Sequence, residues 1–196
     1  GLTGWLRGEV DAFLGAVGYF TRLPVPARVG DSAAALNQSA KYLPAVGLLV
    51  GGLGALVFWL AAQLWPQPVA VLLAMAATLY ATGAFHEDGL ADTADGLGGG
   101  WDKAKILAIM KDSRVGSYGV IAVVVALLGK FALLAALDAA LLPWTLLAGH
   151  AVSRFFAVSL MAFMDYARDD AASKARPLAA RLGAGPLAVA LLFAAL

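Results

Sequence analysis

Leu43-Pro44-Ala45-Val46-Gly47-Leu48-Leu49-Val50-Gly51-Gly52-Leu53-Gly54-Ala55-Leu56-Val57-Phe58-Trp59-Leu60-Ala61-Ala62-Gln63-Leu64-Trp65 carries no charged side chain. A helix needs about 20 apolar residues to cross the hydrocarbon core of a bilayer. Pro66-Gln67-Pro68 ends the run, and a second uncharged run follows from Val69 to Phe85. A third runs from Tyr118 to Leu137 and a fourth from Ala139 to Met164, the two joined around Asp138 and broken by Pro143. A fifth begins near Pro186 and is still apolar at Leu196. The whole chain of 196 residues is 61% hydrophobic and 14% charged, with mean hydropathy +0.80. Soluble domains carry roughly 25% charged residues. We therefore expect an all-α, polytopic integral membrane protein. It should have at least four to five transmembrane helices, with short interfacial helices on the cytoplasmic side. One membrane-embedded catalytic domain is expected over 1–196, continuing past its C-terminus.

Charge sets the topology. Arg7, Arg22, Arg28 and Lys41 precede the first span. Lys103, Lys105, Lys111 and Arg114 lie between the second and third, and Arg168, Lys174, Arg176 and Arg181 follow the fourth. Alternating spans put all twelve on one side, which the positive-inside rule makes cytoplasmic. Trp5 to Phe20 is amphipathic and fits an interfacial helix ended by Thr21-Arg22-Leu23-Pro24-Val25-Pro26. Trp101 to Lys111 is a second short amphipathic helix. Net charge is +1, which gives no electrostatic case for nucleic acid. The absence of cysteine excludes disulfides and thiolate metal sites.

His86-Glu87-Asp88-Gly89-Leu90-Ala91-Asp92-Thr93-Ala94-Asp95-Gly96 packs five ionisable groups beside the second apolar run. Asp88, Asp92 and Asp95 are spaced i, i+4, i+7, so a helix would put them on one face. Three like charges repel and lose hydration beside apolar surface, so something positive must offset them. A divalent cation with oxygen ligands is the simplest candidate, and Mg²⁺ holding a substrate phosphate is the commonest such use. The bland alternative is a solvated loop leaving the membrane.

Further groups join the candidates. Arg114 can clamp phosphate oxygens bidentately, Lys111 adds a second cation, and Asp112 can complete a metal site. The same stretch also reads as a basic anchor before a span. His150 and Arg154 stand i, i+4 inside the fourth run, where a buried Arg needs a partner or a wet cavity. Lys130 poses the same question inside the third, with no partner in view. Lys174 and Arg176 can contact phosphate if their loop folds over the site, whereas Asp169 and Asp170 read as solvated. Gly47-Leu48-Leu49-Val50-Gly51 is a helix-packing signal without catalytic meaning.

Four stretches together resemble the cobalamin synthase, or adenosylcobinamide-GDP ribazoletransferase, family. The Asp-rich stretch from Phe85 to Gly96 resembles its signature, and Phe20 to Pro26 its N-terminal motif. Ile109 to Gly116 resembles the central motif. Ser153-Arg154, Tyr166-Ala167-Arg168 and Lys174-Ala175 resemble the C-terminal ones. The resemblance implies a multi-pass inner-membrane enzyme using Mg²⁺, with its active site facing the cytoplasm. It implies joining of adenosylcobinamide-GDP to α-ribazole, or its 5′-phosphate, with release of GMP. Expected partners are those substrates and membrane lipid, with self-association or a biosynthetic complex left open. In this reading Asp88, Asp92 and Asp95 hold Mg²⁺, with Glu87 and Asp112 assisting. His86 or a carboxylate takes the hydroxyl proton, and Arg22, Lys111, Arg114, Arg154, Lys174 and Arg176 serve phosphate.

Two rivals come from other classes. Asp92-Thr93-Ala94-Asp95-Gly96 resembles the opening of the CDP-alcohol phosphotransferase motif, but the Ala-Arg after the Gly and the later Asp pair are absent. A cation transporter would place charges near mid-membrane on broken helices. The carboxylates are expected at a span end instead.

Overall fold

The computed structural model describes residues 1–27, 29, 33–165, 167 and 181–196. Among them every regular element is helical: α1 (Leu2–Phe20), α2 (Ala33–Ser39), α3 (Leu43–Ala61), α4 (Gln67–Thr82), α5 (Phe85–Gly99), α6 (Lys103–Ile109), α7 (Ser117–Ala135), α8 (Leu142–Phe163) and α9 (Ala184–Ala194). A 3₁₀ turn, Ala40–Tyr42, joins α2 to α3.

Three stretches are each long and apolar enough to cross a membrane: Ala35–Ala61, α7 and α8. The expected second span differs. α4 has only 16 residues, because Gly83 adopts φ 65° and closes it in the left-handed conformation that glycine takes without steric cost. Ala84 is also left-handed, and α5 leaves at 84° to α4. The pair counts as a fourth span only if the break is included. The described residues thus hold three or four candidate spans, and the fifth run forms the 11-residue α9. The polytopic all-helical class holds. α1 and α6 are the two short amphipathic helices foreseen, and Asp102 caps α6 by accepting from the Lys105 amide at 2.9 Å.

α3 and α8 form the tightest seam. A Cβ at Gly47 would run into the His150 carbonyl, and one at Gly51 would stand 2.6 Å from the Leu146 carbonyl. The two backbones meet because neither residue has a side chain. Apolar packing surrounds that seam at both ends. Phe20, Val46, Val50 and Val158 fill one cluster, and Phe58, Val71, Met75 and Leu142 the other. Gln67 Nε2 donates to Ala135 O at 3.1 Å and Leu137 O at 2.7 Å. Those bonds put the two short connections, neither of which carries Lys or Arg, at the same end of the helices, as alternating spans require. At the other end Lys41 Nζ lies 2.7 Å from Glu9 Oε2, and the Tyr42 hydroxyl donates to the same oxygen at 2.5 Å.

Candidate active site

α5 carries the acidic motif, and its geometry sorts the carboxylates. Asp95 is buried, accepting from the Gly116 amide at 2.6 Å and the Gly119 amide at 2.8 Å. These are the N-cap and third residues of α7, whose own N-cap, Gly116, has no side chain to offer. Asp95 therefore caps α7 from a neighbouring helix, and the positive end of that helix offsets its charge. Asp92 is half-buried and Asp88 exposed, one turn apart on the same side of α5.

The five-carboxylate metal set expected from the sequence is not assembled. Among the described residues no three His, Asp or Glu side chains gather as a metal would require. Both oxygens of Asp95 are engaged by backbone amides. Asp112 pairs bidentately with Arg114, with Nε to Oδ1 at 3.0 Å and the other nitrogen to Oδ2 at 2.6 Å. That pair is on the surface, and Arg114 pulls the Asp112 carboxyl down to about 2. Asp88 and Asp92 share one side of α5, with Glu87 beside them. Two hard oxygen ligands one turn apart suit an Mg²⁺ ion that takes one or two carboxylates and completes its shell with water and substrate phosphate.

Beside that face lies a cavity of about 470 Å³ between α4, α5, α7 and α8. His86, Glu87, Lys130, His150 and Arg154 line it. Lys130 lies 13 residues into α7 and Arg154 12 into α8, well inside both apolar helices. This answers what the sequence left open: the intramembrane cations share one space with α5. It also corrects the ground on which the transporter reading was set aside, since here charges do lie at depth beside a broken helix.

Arg154 is 4% exposed. One of its terminal nitrogens donates to His150 Nδ1 and to the His150 carbonyl, both at 3.0 Å. Arginine only donates, so His150 Nδ1 accepts and the ring proton sits on Nε2. That Nε2, Arg154 Nε and Glu87 Oε2 are buried without hydrogen-bond partners.

Arg22 sits at the α4–α5 break. Its amide donates to Ala81 O at 2.8 Å, its guanidinium covers the Tyr80 ring at 5.5 Å, and its side chain fills the space where Gly83 lacks a Cβ. Lys111 follows α6. Lys174 and Arg176 lie outside the described residues. Lys130 and the hydroxyls of Thr78 and Thr82 were not foreseen as site residues. A lone Lys inside an apolar run was the only signal for the first, and nothing in the sequence marked the other two.

The family model for cobalamin-5-phosphate synthase matches residues 12–196. An adenosylcobinamide-GDP ribazoletransferase of Ralstonia nicotianae is 53% identical over 185 residues, covering 92% of this chain and 71% of the relative. Proteins of the same name from Shewanella amazonensis and Shewanella woodyi are 51% and 48% identical, covering 88% and 89% of this chain and 68% and 69% of theirs. No solved structure matches. A match across the acidic helix, the broken span and the intramembrane cations decides between the readings left by the sequence: the chain belongs to the cobalamin-5-phosphate synthase family, enzymes of cobalamin synthesis.

Proposed function

We propose that the protein is an adenosylcobinamide-GDP ribazoletransferase of the inner membrane, with its site open to the cytoplasm. It joins adenosylcobinamide-GDP to α-ribazole or its 5′-phosphate and releases GMP. One observation carries the reading: the first turn of α5 is where a carboxylate face, Asp88 and Asp92, meets a cation-lined cavity through His86 and Glu87. Transfer of a phosphate-bound group from one substrate to another needs such a junction.

Asp88 and Asp92 would hold Mg²⁺ together with the donor's pyrophosphate, and the ion would supply charge neutralisation for the departing GMP. The chain's own residues do the rest. A ribose hydroxyl of the acceptor attacks the cobinamide-side phosphorus; the new P–O bond forms there and the bond to the GMP oxygen breaks. Glu87, whose Oε2 has no partner, accepts the hydroxyl proton, with His86 beside it. Arg22 holds the break that sets the direction of α5. Asp95 fixes α5 against α7, so it positions the face without joining it. Catalysis is then chiefly orientation and electrostatics.

The test is release of GMP by purified protein given adenosylcobinamide-GDP and α-ribazole 5′-phosphate, with Mg²⁺ and then with EDTA. Equimolar GMP and corrinoid product, abolished by EDTA, are expected. Absence of GMP with Mg²⁺ present would overturn the reading. Orientation is read by thiol labelling, since the chain has no cysteine: Gly99→Cys should label from the cytoplasm and Gln67→Cys from outside.

A further inference from the structure

The cavity between α4, α5, α7 and α8 contains more chemistry than proton transfer uses. Its charges are not paired internally. Among the described residues no carboxylate closes an ion pair with Lys130 or Arg154, although Glu87 shares their space. A guanidinium 4% exposed inside an apolar helix, with one nitrogen unpartnered, is costly unless an anion arrives. The unpartnered Arg154 Nε–H and His150 Nε2–H are both donors, and the Lys130 ammonium is a third. Together these donors ask for an anion rich in acceptor oxygens.

The rest of the wall asks for something different. The hydroxyls of Thr78, Thr82, Thr145 and Ser153 each donate to a carbonyl of their own helix, at 2.9, 3.1, 3.0 and 3.3 Å. Their oxygens are left to accept. Glu87 Oε2 is a further acceptor without a donor. Ligand groups that donate, such as sugar hydroxyls, satisfy these. Leu79, Leu134 and Leu146 supply apolar wall. That wall suits an aromatic base with few polar edges, and suits guanine poorly. About 470 Å³ is within the range of small-molecule pockets and holds one mononucleotide, not a corrinoid.

We propose that this cavity is the acceptor site and that Lys130, His150 and Arg154 bind the 5′-phosphate of an apolar-base riboside phosphate. The donor's pyrophosphate occupies the carboxylate face on the other side of Glu87. The phosphate end sets the preference for a phosphorylated over an unphosphorylated acceptor. Glu87 then accepts from a sugar hydroxyl of the same ligand. This rests on the transferase reading above, and the test separates the two.

The test compares α-ribazole 5′-phosphate with α-ribazole in the parent, Lys130→Gln and Arg154→Lys. A lost charge-assisted hydrogen bond costs about ten- to a hundredfold in affinity, whether the charge goes with it, as in Lys130→Gln, or the Nε–H donor alone, as in Arg154→Lys. Both variants should raise KM for the phosphorylated acceptor by that factor and KM for the unphosphorylated one far less, erasing the discrimination. Inorganic phosphate should compete with the phosphorylated acceptor in the parent, and not with the donor. Direct calorimetry of α-ribazole 5′-phosphate needs no turnover, so it reads the cavity even if GMP release fails: binding weakened in Lys130→Gln supports the acceptor site. Equal losses for both acceptors, competition of phosphate against the donor, or unchanged calorimetry in both variants would each overturn the proposal. A phospholipid headgroup as occupant would show as acceptor binding that is unaltered by the variants but changes with added anionic lipid.

Discussion

The α3–α8 seam and the space enclosed by α4, α5, α7 and α8 share the same apolar layer and are built in opposite ways. In the seam, Gly47 and Gly51 let two backbones touch, and nothing polar intervenes. Around the cavity the helices stay apart, and the gap is lined with His, Glu, Lys, Arg and hydroxyls. Asp95 ties α5 closely to α7, accepting from two backbone amides. Where the protein needs rigidity it removes side chains. Where it needs chemistry it keeps costly ones and leaves their bonds unmade. Lipid offers no hydrophobic drive between helices, so close packing at the seam has to supply the rigidity.

The contrast is broken most severely at the seam. Gly47→Leu would drive a side chain into the His150 carbonyl, and backbone cannot yield as a flexible side chain can. We expect a loss of at least about 3 kcal/mol, because overpacking here cannot relax. Thermal melting in detergent reads it, and a melting temperature like the parent's would show that the seam is not close-packed. Leu90→Ala, facing the smaller void beside α7, should by comparison be well tolerated.

Asp95→Asn is the intermediate case. An amide can accept from only one of the two α7 amides, and its NH₂ opposes the other. About 1–3 kcal/mol of stability should go, with protection of the Gly116 and Gly119 amides from hydrogen exchange falling first. Since Asp95 positions the face without touching substrate, activity should fall mainly through kcat. Loss of Mg²⁺ dependence instead would return Asp95 to the metal set.

The smallest effect lies outside both regions. Glu9 sits below its ordinary value of 4.5 because Lys41 and then Tyr42 donate to it. A lowered carboxyl stabilises the fold fully above the unfolded value, and that contribution disappears as pH falls through the folded one. Glu9→Gln should cost about 1–2 kcal/mol at pH 7 and melt with a shallower acid dependence below pH 4.5. Parallel pH profiles would remove the Glu9–Lys41 contact from the stability account.

The sequence made the seam legible and the cavity only partly so. Local patterns carried the first: apolar runs marked α3, α7 and α8 closely, and Gly47-x-x-x-Gly51 announced the packing. The second depends on contacts between residues far apart. The spacing of Asp88, Asp92 and Asp95 gave their common side of α5, but the cap that takes up Asp95 comes from Gly116 and Gly119, more than 20 residues on. Lys130 had no visible neighbour because the polar groups that share its cavity lie on other helices. The second span was drawn through Gly83 as if continuous. An apolar glycine adds nothing to hydropathy, although a lone glycine near a helix end is a known stop signal.

The central claim is that the first turn of α5 joins a donor face to a separate acceptor cavity. Asp92→Asn tests it most directly, measured twice on the same preparation: GMP release at saturating Mg²⁺ and calorimetric binding of α-ribazole 5′-phosphate. Weakening the metal's hold should cost at least about a hundredfold in turnover. Acceptor binding should stay at the parent value. Turnover like the parent's, or acceptor binding lost together with turnover, would contradict the account.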